Sequence, residues 1–176
     1  MGLKVGTVKV EKYNPIWKEM FNQEMVNLEK AFEEIAIEIE HIGSTSVEGL
    51  SSKPIIDIAV AVKKLSDFEK VKNSFEKEPY SIKEDSVSDE ILIRKGSEDN
   101  RTHFIHVMEV DSKRYKDTII FRNYLRSNKD VLREYEDLKN KLAEKYAEDR
   151  KMYTASKNEF IQKVINTAYT KGEDRR

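Results

Sequence analysis

A short loop of small residues, and the acid that follows it, are the groups in this sequence best suited to chemistry. Residues 43–46 read Gly-Ser-Thr-Ser, and Asp57 stands in an apolar segment that follows them. Because such a loop carries no bulky side chains, its backbone N–H groups can approach a phosphate closely. An acid on the next strand can hold the metal ion that phosphate chemistry needs. The combination indicates nucleotide chemistry.

The spacing of these groups resembles the signature of the polymerase-beta-type nucleotidyltransferases. In that superfamily a strand ends in an apolar-Gly-Gly/Ser turn, and a second strand then carries an acid, an apolar residue and a second acid. Here 12 residues, 45–56, separate Gly43-Ser44 from Asp57-Ile58-Ala59. Several segments are similar in sequence to the GrpB-like family of that superfamily, namely residues 41–49, 53–58, 101–107, 121–126 and 153–161.

This resemblance implies transfer of a nucleoside monophosphate from a nucleoside triphosphate to an acceptor, a small molecule or a protein, with pyrophosphate leaving. It implies Mg²⁺ or Mn²⁺ as cofactor, with Asp57 as a catalytic residue and metal ligand. Gly43 and Ser44 would receive the phosphates, and Thr45 and Ser46 would add donors. The alternative is an ordinary tight turn, with Asp57 accepting its backbone N–H groups and binding no metal.

Ala59 stands where the superfamily has its second acid. Since a two-metal site normally takes several carboxylates, another acid would have to replace it. Glu109, on a later predicted strand, is the nearest replacement and is the second candidate metal ligand. Strand alternation nevertheless places Glu109 with His103, on the face opposite His106.

All three histidines, His41, His103 and His106, lie in the segments that resemble the family. A neutral imidazole suits zinc or manganese better than magnesium, and a histidine can act as general base toward an incoming hydroxyl. His106 and His41 are therefore candidate catalytic residues. The alternative is that each is a hydrogen-bonded strand histidine.

Lys53 and Arg101 are the candidate cationic partners of a bound triphosphate, because such a ligand needs cations as well as backbone donors. Arg122 and Arg126 lie one turn apart on a predicted helix. Residues spaced in this way more often pair with surface acids, so neither is a candidate site residue.

The composition excludes several classes of protein. The 176 residues contain no cysteine, so disulfides and thiolate chemistry are absent. The 32 basic and 33 acidic residues balance, which gives no strong nucleic-acid signal and no indication of oligomeric state. No apolar run approaches the roughly 20 residues that span a bilayer. The amino-terminal residues lack a secretory apolar core, so we expect a cytoplasmic protein with no membrane partner.

The periodicity of apolar residues predicts an α/β (α+β) fold, with a mixed sheet, flanking helices and a C-terminal helical half. The sheet half should span residues 1–111 and the helical half residues 112–176, packed together as one compact domain. Asn14 and Pro15 predict the start of a first helix that ends near residue 32. Its apolar face should be buried and consists of Trp17, Phe21, Leu28 and Phe32.

Strands are predicted at residues 7–10, 36–41, 55–62, 91–94 and 103–110. Ser66 and Glu69 form a possible capping box, which predicts a helix over residues 66–77. After Lys113 the pattern predicts three helices, with breaks near residues 127–128 and near Thr154.

Three functions remain open from the sequence. The first is a nucleotidyltransferase, and the second is a module that binds a nucleotide or phosphometabolite without transfer activity, because Ala59 removes half of the acid pair. Pyrophosphate release distinguishes these two. The third is a scaffold that binds another protein, which an exposed apolar patch on residues 129–168 would favour.

Overall fold

The computed structural model describes residues 2–83 and 89–172. It is a mixed α/β structure with one five-stranded sheet, in the order β1-β2-β5-β4-β3. The strands are β1 (Ala36–Ile42), β2 (Ile56–Val62), β3 (Tyr80–Ile82), β4 (Ile91–Gly96) and β5 (Arg101–Glu109). The helices are α1 (Ile16–Phe32), α2 (Lys113–Ser127), α3 (Lys129–Lys145), α4 (Arg150–Ala155) and α5 (Asn158–Thr170). The predicted fold class is confirmed.

The pair of strands β2 and β5 forms the centre of the sheet. These two run parallel, whereas β1 pairs with β2, and β4 with β5 and β3, in antiparallel fashion. Alternation along β2 sends Ile56, Ile58, Val60 and Val62 to one face of the sheet. It sends Ala59 and Ala61 to the other, where Tyr115 and Ile119 of α2 cover them. Both faces are therefore buried, as the unbroken apolar sequence predicts.

Helix α1 covers the first of these faces. Asn14 Oδ1 accepts a hydrogen bond from the Ile16 backbone N–H at 3.1 Å, which satisfies one of the free donors at the helix start. Trp17, Leu28 and Phe32 have no exposed surface and belong to the largest core cluster, with Phe21 packed at its edge. The predicted apolar face is confirmed.

The C-terminal helices pack on the second face and on the loop that follows β1. Leu125 of α2 and Tyr135 of α3 form a buried cluster with Val47 and Leu50 of that loop. Within residues 129–168, Met152 is the one large apolar side chain that is exposed. The apolar patch that would favour a protein-binding scaffold is therefore absent from this stretch.

Two predicted elements are wrong in type. Residues 7–10 form no strand, because Val8 N–H bonds to Ala147 O across the molecule and the segment has no strand partner. Residues 66–77 contain the 3₁₀ turns Leu65–Lys70 and Lys72–Ser74 in place of an α-helix. Glu109 Oε1 accepts the Leu65 N–H there, and Ser66 makes no capping bond.

The sequence also missed two short elements. Strand β3 has only three residues and is held by its pairing with β4. Four helices follow Lys113 within the described residues, because Asp149 accepts the Met152 N–H and starts the short helix α4. The break near residues 127–128 is confirmed. No helix in the described part of the chain has the length and apolar character needed to cross a bilayer.

A buried carboxylate joins α1 to the far edge of the sheet. Glu24 is only 1% exposed. Its carboxylate accepts hydrogen bonds from Tyr80 Oη at 2.8 Å, from Asn27 Nδ2 at 3.2 Å and from Lys95 Nζ. A buried carboxylate is stable only while such partners compensate its charge, so this network depends on Lys95.

We expect Lys95→Met to lower the free energy of unfolding by about 3 kcal/mol, because it leaves the Glu24 charge buried with neutral donors alone. Urea denaturation at neutral pH measures the loss. Lys70→Met is the matched control, since that side chain is 68% exposed in its pair with Asp67, and it should leave the midpoint nearly unchanged. Equal stability of the two variants would contradict the role assigned to Lys95.

Candidate functional site

The turn after β1 packs directly on Asp57. Ile42, the last residue of β1, pairs with Asp57 on β2. Gly43 then adopts a φ of +67°, and a Cβ at this position would lie 2.6 Å from Asp57 Oδ2. A side chain is therefore excluded both by the left-handed backbone and by the carboxylate. Gly43, Ser44 and Asp57 line one cavity of about 540 Å³, which we call the Asp57 cavity.

His106 lies beside Asp57 because β2 and β5 run parallel in register. Its Nε2 is 3.5 Å from Asp57 Oδ1, and its Nδ1 is 2.7 Å from Glu90 Oε1. Burial lowers the pKa of His106, but the two carboxylates outweigh it and raise the pKa to about 9. Arg114 Nε, 3.3 Å from Glu90 Oε2, extends this chain of charges to α2.

Asp57 itself stays ionised at neutral pH. Its partial burial raises the pKa, but the hydrogen bond and charge of His106, with the charges of Lys53 and Arg150, hold the pKa below its ordinary value. A third of the side chain, 34%, remains exposed to the cavity. The carboxylate is therefore a charged and accessible group.

Three cations surround this cavity and face aromatic rings. Lys53 Nζ lies 5.3 Å and Lys157 Nζ 4.3 Å from the centroid of the buried Tyr153 ring. Arg150 Cζ lies 5.0 Å from the centroid of the Phe104 ring. Within the described residues, none of the three cations forms a salt bridge, although cations in such partly buried positions normally have an acidic partner.

The absence of salt bridges within the described residues also affects the protonation of these lysines. Burial, together with the charges of Arg150 and Lys157, lowers the pKa of Lys53 to about 7. Burial lowers the pKa of Lys157 to about 8, with Asp57 opposing and Arg150 adding to the shift. Both lysines would gain from an anion in the cavity, because its charge favours their protonated form.

Five residues predicted from the sequence line the Asp57 cavity: Gly43, Ser44, Lys53, Asp57 and His106. The sequence missed Arg150 and Lys157, which come from α4 and from the residue that precedes α5. Lys157 lies within residues 153–161, which are similar to the family, but no spacing relates that segment to Asp57, and Arg150 lies outside it. Glu90 and Arg114 were likewise missed.

His41, Thr45 and Ser46 lie elsewhere, in a second cavity of about 800 Å³ between α1 and α2. His41 stacks on Phe21 with ring centroids 4.8 Å apart, and its Nε2 is 3.0 Å from Thr45 Oγ1. Burial lowers the pKa of His41 to about 4, with Arg126 adding to the shift and Asp57 opposing it. His41 is thus a neutral, hydrogen-bonded histidine that faces away from the Asp57 cavity.

Arg101 and Glu109 are not brought to the Asp57 cavity either. Arg101, 4% exposed, forms a bridge with Leu3, and Glu109 Oε1 accepts the Leu65 N–H at 3.0 Å. Both residues lie on the same face of β5 as Ile105, which packs in the core under α1, whereas His106 faces the cavity. The prediction that Glu109 and His106 occupy opposite faces is confirmed.

The residues at this site fit a pair of divalent metal ions poorly. In the described part of the chain, no three His, Asp or Glu side chains are grouped to hold a metal ion. Ala59, the position of the second acid in the superfamily, is fully buried under Tyr115 and Ile119. A carboxylate there would point into this apolar packing.

Gly43→Ala should weaken the site more than Gly49→Ala does, although both glycines have positive φ. The variant at Gly49 meets no atom within 4 Å, so it should cost only about 1 kcal/mol of backbone strain. The variant at Gly43 must also displace the Asp57 carboxylate. Thermal unfolding, and the histidine NMR signal of His106 as a reporter of its contact with Asp57, measure the difference. Equal effects of the two variants would contradict the packing of the turn on Asp57.

Comparison with known proteins gives a consistent result. The profile of the family described as GrpB protein matches residues 7–167. The glutamate-rich protein GrpB of Alkalihalophilus pseudofirmus is 36% identical over 94% of this chain and 98% of its own length. The UPF0157 protein YqkA of Bacillus subtilis is 31% identical over 92% of this chain, which spans about half of YqkA, 47%.

A solved structure agrees with this assignment. The crystal structure of the conserved protein GrpB from Enterococcus faecalis superposes with a TM-score of 0.85 at 34% identity. The match covers 93% of this chain and 98% of that one. The resemblance found in the sequence is confirmed, and the chain belongs to the GrpB family.

Proposed function

We propose that this protein binds a phosphate-bearing small molecule in the Asp57 cavity, with a nucleoside triphosphate as the first candidate. The observation that carries the proposal is the group of three cations, Lys53, Arg150 and Lys157, which form no salt bridge within the described residues. Desolvating a cation is costly unless an opposite charge compensates it. An anionic ligand would supply that charge.

The charge balance of the cavity supports the same ligand class. Its lining contains five Lys and Arg residues against three Asp residues. Lys113 pairs with Asp117 and Arg114 with Asp89, and Asp57 is matched by His106. The unmatched charge is therefore positive and lies beside Tyr153 and Phe104.

The turn and the size of the cavity add to this argument. Gly43 and Ser44 both line the cavity, and the absence of a side chain at Gly43 suits close approach of phosphate oxygens to the backbone. A volume of about 540 Å³ lies within the range of small-molecule sites. Phe104, Phe121, Tyr135 and Tyr153 add aromatic surface to the lining, against which an organic group can pack.

Nucleotidyl transfer is the second candidate function, and the register between Gly43 and Asp57 favours it. That register is the arrangement on which the resemblance to the nucleotidyltransferases rests. In the reaction, an acceptor hydroxyl would form a bond to the α-phosphorus, the bond to pyrophosphate would break, and the hydroxyl proton would pass to solvent. His106 is held as an imidazolium between two carboxylates, so it would orient Asp57 and would not accept this proton.

The binding proposal is tested by titration calorimetry with each common nucleoside triphosphate, with and without Mg²⁺, so that binding is scored in either condition. Arg150→Gln should weaken binding about 10-fold or more, the contribution of one charge-assisted hydrogen bond. Lys151→Gln is the matched control, because it removes one positive charge from the exposed neighbouring position. No binding in any condition, or equal losses in both variants, would overturn the proposal.

Binding should also weaken as the pH rises from about 6.5 to about 9, because Lys53 and Lys157 lose their protons in that interval. Their pKa values are lowered to about 7 and about 8, so both are charged at the acidic end and neutral at the basic end. Calorimetry across this range measures the trend, and Lys157→Met should make it shallower. Affinity that is constant or increases with pH would contradict the assignment of these lysines.

Transfer activity has its own test, the release of pyrophosphate from the bound triphosphate in the presence of candidate acceptors and Mg²⁺ or Mn²⁺. Asp57→Asn should abolish release if the protein is a nucleotidyltransferase. Lys151→Gln should not affect it. Release that persists in Asp57→Asn would contradict the transfer function. A triphosphate that binds but stays intact with every acceptor would contradict it as well. Neither result would contradict the binding function.

A further inference from the structure

Each oxygen atom of Asp57 has a neighbouring group close to it. Oδ1 lies 3.5 Å from His106 Nε2, and Oδ2 lies against Gly43, where an added Cβ would be 2.6 Å away. His106 is in turn anchored by Glu90 at 2.7 Å. A divalent metal ion at Asp57 would have to displace this imidazole or share an oxygen with it.

Other carboxylates do not complete a metal site around this cavity. Asp117 is bound by Lys113, and Asp89 lies 3.0 Å from Arg114 Nε. Glu109 points to the opposite face, where it binds the Leu65 N–H. Within residues 2–83 and 89–172, Asp57 is therefore the one lining carboxylate that no Lys or Arg side chain contacts. Magnesium bound by so few carboxylates takes its remaining ligands from water and from the substrate.

The cations around Asp57 act against a divalent metal as well. Lys53, Arg150 and Lys157 all lower the free energy of a nearby anion and raise that of a nearby dication. Two of them, Lys53 and Arg150, are close enough to depress the pKa of Asp57. Arginine and lysine can neutralise phosphate oxygens directly, which is the electrostatic part of what a metal ion would otherwise do.

We infer that the Asp57 cavity binds its phosphate ligand as a metal-free polyanion, with Lys53, Arg150 and Lys157 in the place of divalent metal ions. The inference rests on the proposed binding function and narrows its ligand class. The preferred ligand is a polyphosphate or phosphomonoester that carries its full negative charge. Its Mg²⁺ complex, in which two of those charges are cancelled, is the poorer ligand.

The test compares ATP and inorganic tripolyphosphate by titration calorimetry, in buffer with EDTA and in buffer with excess Mg²⁺. Binding in EDTA that is at least as tight as in Mg²⁺ is the expected result. Binding only in Mg²⁺ would overturn the inference and leave the proposed function intact. Binding in neither condition would overturn the proposed function and the inference with it, so the two failures are distinguishable.

Asp57→Asn provides a second, sharper comparison. In a metal-free site Asp57 repels the bound phosphates, so this variant should bind ATP in EDTA at least as tightly as the unchanged protein. In a metal site the same variant would lose the ion and with it the ligand. Circular dichroism and thermal unfolding establish that the variant is folded. Loss of binding by a folded Asp57→Asn protein would overturn the inference.

Electron paramagnetic resonance of Mn²⁺ gives a readout that needs no nucleotide. We expect the protein alone to leave the spectrum of free Mn²⁺ unchanged at micromolar concentrations, and Asp57→Asn to behave in the same way. Bound Mn²⁺ that disappears in Asp57→Asn would overturn the inference. Bound Mn²⁺ that persists in the variant would show that the ion binds at a site other than Asp57, which agrees with the inference.

Discussion

The ionised carboxylate of Asp57 is the group on which the rest of this site depends. It lies near the start of β2, with Ile42 of β1 on one side and Phe104 of β5 on the other. A partly buried carboxylate is costly to form unless nearby donors and cations stabilise it. His106 on the sheet, together with Lys53 and Arg150, supplies that stabilisation. One charge thereby connects the turn, the central strands and the helical half.

This arrangement leaves a surplus of positive charge, and that surplus gives the cavity its chemical character. Asp57 forms its closest ion pair with His106, and its single negative charge does not balance Lys53, Arg150 and Lys157 as well. Their packing against Tyr153 and Phe104 provides modest cation–π stabilisation. That stabilisation is smaller than what a phosphate group would provide through charge-assisted hydrogen bonds. An anion-binding function follows from this imbalance.

Local sequence signals predicted the elements that are regular and long, and failed where tertiary contacts decide. The N-terminal helix, the burial of both faces of β2 and the opposite orientation of His106 and Glu109 all follow from periodicity. The 3₁₀ turns at residues 65–74 do not, because their start is capped by Glu109 from a distant strand. Residues 7–10 likewise have the pattern of a strand, but Val8 bonds to the helical half.

The sequence by itself determined the centre of the candidate site. The Gly43-Ser44 turn and Asp57 are close in the chain, and strand alternation decides which side chains accompany them, because both are local constraints. Only the tertiary structure brought Arg150 and Lys157 to the cavity and placed the other candidate residues away from it. Arg150 and Lys157 reach Asp57 from about 100 residues away through helix packing that no spacing encodes. His41, Thr45, Ser46, Arg101 and Glu109 face elsewhere because each sits on the opposite side of a strand or turn.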